Sequence, residues 1–155
     1  MRVIDKITIN GSMRQVWDVV SSPEAFSKLM PDIESFNFNS DLRGQVGASW
    51  IDTVKLPGAL VDTNWVVTKW QERQSISADF SSLRRGGHKP KQGTIALELS
   101  ETKNGTTLAL MWTIHSDQRN QGFMSSWLDP LMSLSLKRMV SRLNKNVKNA
   151  VESIV

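Results

Sequence analysis

The C-terminal segment constrains this chain more than any other feature. Read at steps of four, four, three, four, four, three and four, it runs Leu128, Met132, Leu136, Met139, Leu143, Val147, Ala150 and Ile154, every position apolar. Lys137, Arg142, Lys145 and Lys148 fall largely off that stripe. Apolar residues at this spacing share one side of an α-helix, so the segment predicts one long amphipathic helix. From Leu131 to Ser153 such a helix would measure ~34 Å. That is roughly the length of a nine- or ten-residue strand, so one helix can lie across a whole sheet. Asp129-Pro130 marks its start, either as cap and first position or as a kink in a longer helix beginning near Gly122.

The preceding residues supply a sheet for it to cover. Val3, Asp5, Ile7 and Ile9 share one parity of a first strand. Gly11-Ser12 ends it, with Ser12 placed to cap a helix bearing Val16, Trp17, Val19 and Val20. Ser22-Pro23-Glu24 opens a second short helix with Pro at its first position and Phe26, Leu29 and Met30 on its apolar side; Pro31 closes it. Six strands are then predicted, near 33–39, 48–55, 61–70, 75–81, 93–100 and 106–115. Ile76, Ala78 and Phe80 share a face, as do Ile95, Leu97 and Leu99, and Leu108, Leu110, Trp112 and Ile114. Turn signals include Leu56-Pro57-Gly58, Gln71-Glu72-Arg73 and Lys103-Asn104-Gly105. Seven strands with short connections imply an antiparallel sheet, and the lack of βαβ alternation argues against a parallel one. The expected class is α+β, with two short helices after the first strand.

A chain of 155 residues fits a single domain spanning 1–155. It has no cysteine, which excludes disulfides and thiolate chemistry and fits a reducing compartment. Residues 1–10 do not resemble a secretory leader, and no stretch approaches the ~20 apolar residues of a membrane span; a cytoplasmic protein without a transmembrane segment is expected. The net charge of +4 is read as solubility rather than as a sign of DNA binding. The absence of tyrosine removes that residue as a general acid.

Three stretches carry a resemblance. "MRQVWDVVSSPEAFSKLMPDI", "KNGTTLALMW" and "GFMSSWLDPLMSLSLKRMVSRLNKNVKNAVES" resemble the opening helices, last hairpin and C-terminal helix of the START/Bet v 1-like (SRPBCC) superfamily, in its polyketide cyclase/dehydrase branch. The resemblance covers nearly the whole chain. It implies a helix-grip fold, a curved seven-stranded antiparallel sheet around the long helix, with an apolar cavity between them. Its members include lipid carriers, aromatase/cyclases, hormone-binding proteins and chaperone co-activators, so the fold does not choose among functions.

On parity, the side chains expected to line that cavity as ligand contacts are Trp50, Trp65, Val67, Ile76, Phe80, Leu97, Leu110 and Trp112, facing Met124, Leu128, Met132 and Leu136. Leu99 shares the inward parity. Asp52 shares the parity of Trp50; a carboxylate inside an apolar cavity would have a raised pKa and could serve as acid or base. The preferred reading is an offset or bulge that leaves Asp52 in water, since a one-residue shift turns every side chain over. His115, beside Asp117, is the other acid–base candidate, although an exposed histidine is the commoner case. Neither His115 nor His88 has companions at metal-ligand spacing, so no metal and no cofactor are expected. The basic run 84–91, with Arg84, Arg85, Lys89 and Lys91, is a mobile connection that could meet an anionic partner; it lacks the aromatics of a single-strand stacking platform.

The leading expectation is carriage of a hydrophobic small molecule, lipid or polyketide-like, in the cavity, with the short helices and the 84–91 connection gating access. The alternatives are an aromatase/cyclase-like enzyme using Asp52 or His115, and an RNA- or protein-interaction module.

Overall fold

The structure, a computed structural model, describes residues 1–39, 41–115 and 125–153, without the side chains of 125–133. In chain order it has β1 (Arg2–Ile9), α1 (Met13–Val20), α2 (Pro23–Leu29), β2 (Ile33–Phe38), β3 (Ser49–Leu56), β4 (Ala59–Gln71), β5 (Ser75–Arg84), β6 (Lys91–Thr102), β7 (Gly105–Ile114) and α3 (Ser125–Glu152). The strands form one antiparallel sheet in the order β1-β7-β6-β5-β4-β3-β2. Every hairpin neighbour in sequence is a neighbour in space, and β1 alone crosses to pair with β7. This is the helix-grip arrangement the element order predicts.

Local chemistry sets the breaks. Ser12 caps α1 in a reciprocal box with Gln15, and Ser22 caps α2 ahead of Pro23; each satisfies amides that the first helical turn leaves unpaired. β3 and β4 turn through Pro57-Gly58, with Gly58 at φ +75°, a conformation glycine adopts without Cβ strain. β4 and β5 turn through three residues, with Arg73 at φ 61°.

Alternation gives the sheet one apolar face. Val3, Ile9, Trp50, Trp65, Val67, Ile76, Ala78, Phe80, Ile95, Leu97, Leu99, Leu108, Leu110 and Trp112 are all buried on it. A bulge on β4, between Val67 and Lys69, adds one residue and turns Trp70 back toward the inner side. There Trp70 meets Trp17 edge to face at 5.4 Å, and both indole N–H groups donate to Glu72, at 3.1 and 3.0 Å. This clamp ties α1 to the β4–β5 turn.

The long helix is already formed at Ser125, so of the two starts the sequence leaves open, Pro130 lies inside the helix rather than at its first position. Its buried side differs from the sequence reading. Its buried line is Leu136, Val140, Leu143, Asn144, Val147 and Val151, whereas Met139 and Ala150 of the expected stripe are half-buried flanks. The stripe is rotated because α3 packs chiefly on β1, with α1, α2 and β7 at its sides, rather than squarely on the sheet centre. Asn144 is buried on this line because its amide donates to the backbone and carboxylate of Asp5, at 3.2 and 2.7 Å. Asn146 donates to the Leu29 carbonyl at 2.8 Å and so holds the end of α2. Ile154 lies outside the described residues, as do the side chains of Leu128 and Met132.

The inner face leaves no room at Gly93. A Cβ there would come within 2.1 Å of the Thr113 carbonyl oxygen and 2.5 Å of the Phe80 ring. Gly93→Ala should therefore destabilise the fold by about 3 kcal/mol, the upper range for overpacking, as read by urea denaturation. A loss below about 0.5 kcal/mol would show that β6 and β7 are not this close.

Candidate functional site

A cavity of about 40 Å³ lies between α2 and the inner face of β3–β6. Phe26, Ser27 and Met30 close it from α2; Trp50, Asp52, Trp65, Ile76, Ala78, Ile95 and Leu97 form its sheet wall. It exists because α2 packs mainly on β2, α1 and α3 and reaches the sheet centre only through its side chains. The wall is built of aromatics. Trp50 stacks on Trp65, with centroids 6.1 Å apart and planes at 16°. Phe80 and Trp112 pack against the far side of Trp65, at 5.2 and 5.7 Å.

Asp52 is the polar centre. It is 2 % exposed, and Trp65 Nε1 donates to its Oδ2 at 2.8 Å. Its Oδ1 is buried with no hydrogen-bond partner among the described residues. The expectation that Asp52 sits in water is overturned. β3 pairs with β4 without interruption from Ser49↔Val66 to Leu56↔Ala59, so no offset intervenes and Asp52 keeps the face of Trp50. The irregularities fall elsewhere, on β2 near Ser35 and on β4 near Thr68. Burial pushes the Asp52 carboxyl up to about 7, the Trp65 N–H offsetting part of the rise; desolvation disfavours the charged form more than one hydrogen bond restores it.

The other residues singled out by sequence separate into groups. Trp50, Trp65, Ile76 and Leu97 line the cavity. Val67, Phe80, Leu110, Trp112 and Leu136 are buried but belong to the surrounding core rather than to the cavity wall. Met124 lies outside the described residues, as do Asp117 and the side chains of Leu128 and Met132. His115 is exposed at the end of β7, 3.4 Å from the Thr94 hydroxyl, and is not part of the wall. His88 is exposed. Arg85, in the basic run, is held by two hydrogen bonds to Asp62, at 3.0 and 3.2 Å, and Lys89 and Lys91 are exposed; none of them reaches the cavity. Among the described residues no three His, Asp or Glu side chains gather as a metal site, and no helix is long and apolar enough to cross a membrane.

Parity missed Phe26, Ser27, Met30, Ala78 and Ile95 as cavity residues. Ile95 and Ala78 were on the right face and could have been named. The α2 residues carried no signal of which strands they would face.

Grip topology, a curved seven-stranded antiparallel sheet with a long C-terminal helix and two short helices after β1, places the protein in the START/Bet v 1-like class. Residues 1–152 match the model of the family described as polyketide cyclase / dehydrase and lipid transport, and the chain belongs to that family. Membership supports the binding of hydrophobic ligands in general, without a particular substrate. Solved structures agree on the fold. A conserved protein from Geobacillus kaustophilus superposes with a TM-score of 0.76 at 12% identity, over 99% of this chain and 96% of that one. A protein from Thermus thermophilus gives 0.74 at 15%, over 99% of both, and Ara h 8.0201 gives 0.73 at 15%, over 99% and 98%. At these identities the likeness shows the fold alone. A comparison with curated proteins finds no match.

The raised carboxyl makes stability depend on pH with a defined sign. The folded-state value lies above the ordinary 3.8, so between the two the native state holds the proton more tightly than the unfolded chain. Stability from this group is therefore highest below about pH 4 and falls as pH rises toward about 7, where it levels off. At ~1.4 kcal/mol per unit the full change is about 4 kcal/mol. Asp52→Asn keeps an acceptor for Trp65 and does not titrate. In urea melts its stability relative to wild type should rise by about that amount between pH ~4 and pH ~8. A constant difference across that range would mean that Asp52 ionises freely.

Proposed function

We propose that the protein binds a hydrophobic small molecule, of lipid or polyketide-like character, in the cavity between α2 and the sheet. The observation that carries this reading is the wall itself: among the described residues, eight of its ten side chains are apolar or aromatic, and the remaining two, Ser27 and Asp52, supply polar contacts. Few polar groups set in an apolar wall is the general form of a small-molecule site. Apolar surface removed from water contributes roughly 25 cal/mol per Å² before association costs.

A cavity of about 40 Å³ is below the few hundred Å³ typical of ligand pockets. A larger occupant requires α2 to move outward. That helix is short, seven residues, and is held at its C-terminal end by the Asn146 bond to Leu29 and at its first turn by the exposed Arg43–Glu24 pair. Met30 and Phe26, flexible or half-exposed, are the side chains that would swing. The 84–91 connection lines no part of this cavity, so access is assigned to α2 rather than to that loop. The cysteine-free chain fits a cytoplasmic setting.

Ala78 offers the direct test. It is 2 % exposed in the middle of the wall, and Ala78→Val would place two methyl groups in the cavity. Native mass spectrometry after incubation with a lipid extract should show ligand on the wild type and at least about tenfold less on the variant, the cost of overpacking a filled site. Equal loading of both proteins would place binding elsewhere.

A second reading rests on one observation, the buried Asp52 with its carboxyl near 7. A group with that value is matched to proton transfer at neutral pH, as an aromatase/cyclase-like reaction would need. On this reading Asp52 rather than His115 is the acid or base, since His115 is outside the wall. Asp52→Asn should then abolish turnover of a cyclisable substrate while leaving its binding intact; retained turnover would remove the reading.

A further inference from the structure

We propose that the cavity selects a neutral, hydroxyl-bearing aromatic molecule, with the hydroxyl meeting Asp52 Oδ1 and the ring against Trp50 and Trp65, and that it rejects carboxylates. This rests on the binding reading above and adds the chemistry of the occupant.

The unpaired oxygen is the starting point. Oδ2 already accepts from Trp65 Nε1, whereas Oδ1 has no partner among the described residues and no water access. A buried polar atom left unpaired is costly, and a ligand that satisfies it recovers that cost. A hydroxyl both donates and accepts. It can therefore pair with Oδ1 when Asp52 is ionised, by donating, and when Asp52 is protonated, by accepting. A ligand carbonyl can pair only with the protonated acid. A ligand carboxylate would set a second negative charge beside the first, and among the described residues no Lys, Arg or His lines the cavity to offset it. An ammonium would meet one carboxylate and an otherwise apolar wall, leaving most of its donors unsatisfied.

The walls choose the rest of the molecule. The near-parallel Trp50–Trp65 pair presents flat ring surface, with Phe26 opposite on α2. Once α2 has moved outward, a planar ring suits such a space, and offset or edge contacts with tryptophan add to its burial.

Three one-ring compounds of matched size separate the components: p-cresol, p-xylene and p-toluate. Each is titrated at neutral pH into the full chain while the NMR signal of the Trp65 indole N–H is followed, assigned with Trp65→Phe. p-Cresol should bind at least about tenfold more tightly than either of the others, the usual discrimination of a site whose buried polar group would otherwise stay unpaired. It should also shift the Trp65 signal most, through Asp52. In Asp52→Asn, p-toluate should gain affinity toward that of p-cresol, with p-xylene unchanged. p-Toluate binding as tightly as p-cresol to the wild type, or p-cresol no better than p-xylene, would overturn the selection while leaving hydrophobic binding in place. If p-cresol and p-xylene both fail to bind, the binding reading falls and this proposal with it.

Discussion

The structure depends on where α3 can reach. Seven antiparallel strands, alternating apart from the bulges on β2 and β4, present one continuous apolar face, wider than a single helix can cover. α3 settles toward the β1 end, burying Leu136, Val140, Leu143, Val147 and Val151. Among the described residues, the face over β3–β6 is met by α2, which packs mainly on β2, α1 and α3 and reaches these strands only through its side chains. A cavity follows from that mismatch of areas, since interiors close wherever geometry allows. The buried Asn144–Asp5 pair and the Asn146–Leu29 bond fix α3 against β1 and α2, and so fix the position of the gap.

The aromatic residues turn that gap into a particular environment. Trp65 is the centre of the cluster, touching Trp50, Phe80 and Trp112, and its indole N–H holds Asp52, the one ionisable group of the wall among the described residues. A carboxylate so placed costs stability at neutral pH. Apart from the bond to Trp65 it has no compensating partner among the described residues. That cost is the observation behind the proposed role of the site. The basic run and His115 carry no comparable feature: Arg85 is satisfied by Asp62, and His115 faces water.

Much of the fold was legible in the chain, for local reasons. Ser12 and Ser22 with Pro23 mark the helix starts by capping chemistry, and Pro57-Gly58 and Lys103-Asn104-Gly105 mark hairpins by backbone conformation. The α3 stripe was legible as helical, but its spacing does not fix which line is buried. Val140 and Val151 replace Met139 and Ala150 because the helix is rotated toward β1, and neighbouring apolar positions on a helix are equally good until a partner surface is chosen. Trp70 was placed with its strand but not on its face, because the bulge at Thr68 has no sequence signature.

For the site, parity alone put Trp50, Trp65, Ile76 and Leu97 on the inner face. It also put Asp52 there, but a short-range pattern gives no assurance that pairing runs unbroken, and only the uninterrupted β3–β4 register decided it. Sequence by itself therefore determined the element order, the strand parity and the family, because these rest on residues close together in the chain. Tertiary structure alone decided which strands α2 faces, that the opening over them is small, and that Asp52 is buried with one oxygen unpaired. Those depend on contacts between residues far apart in sequence, whose distances no local periodicity encodes.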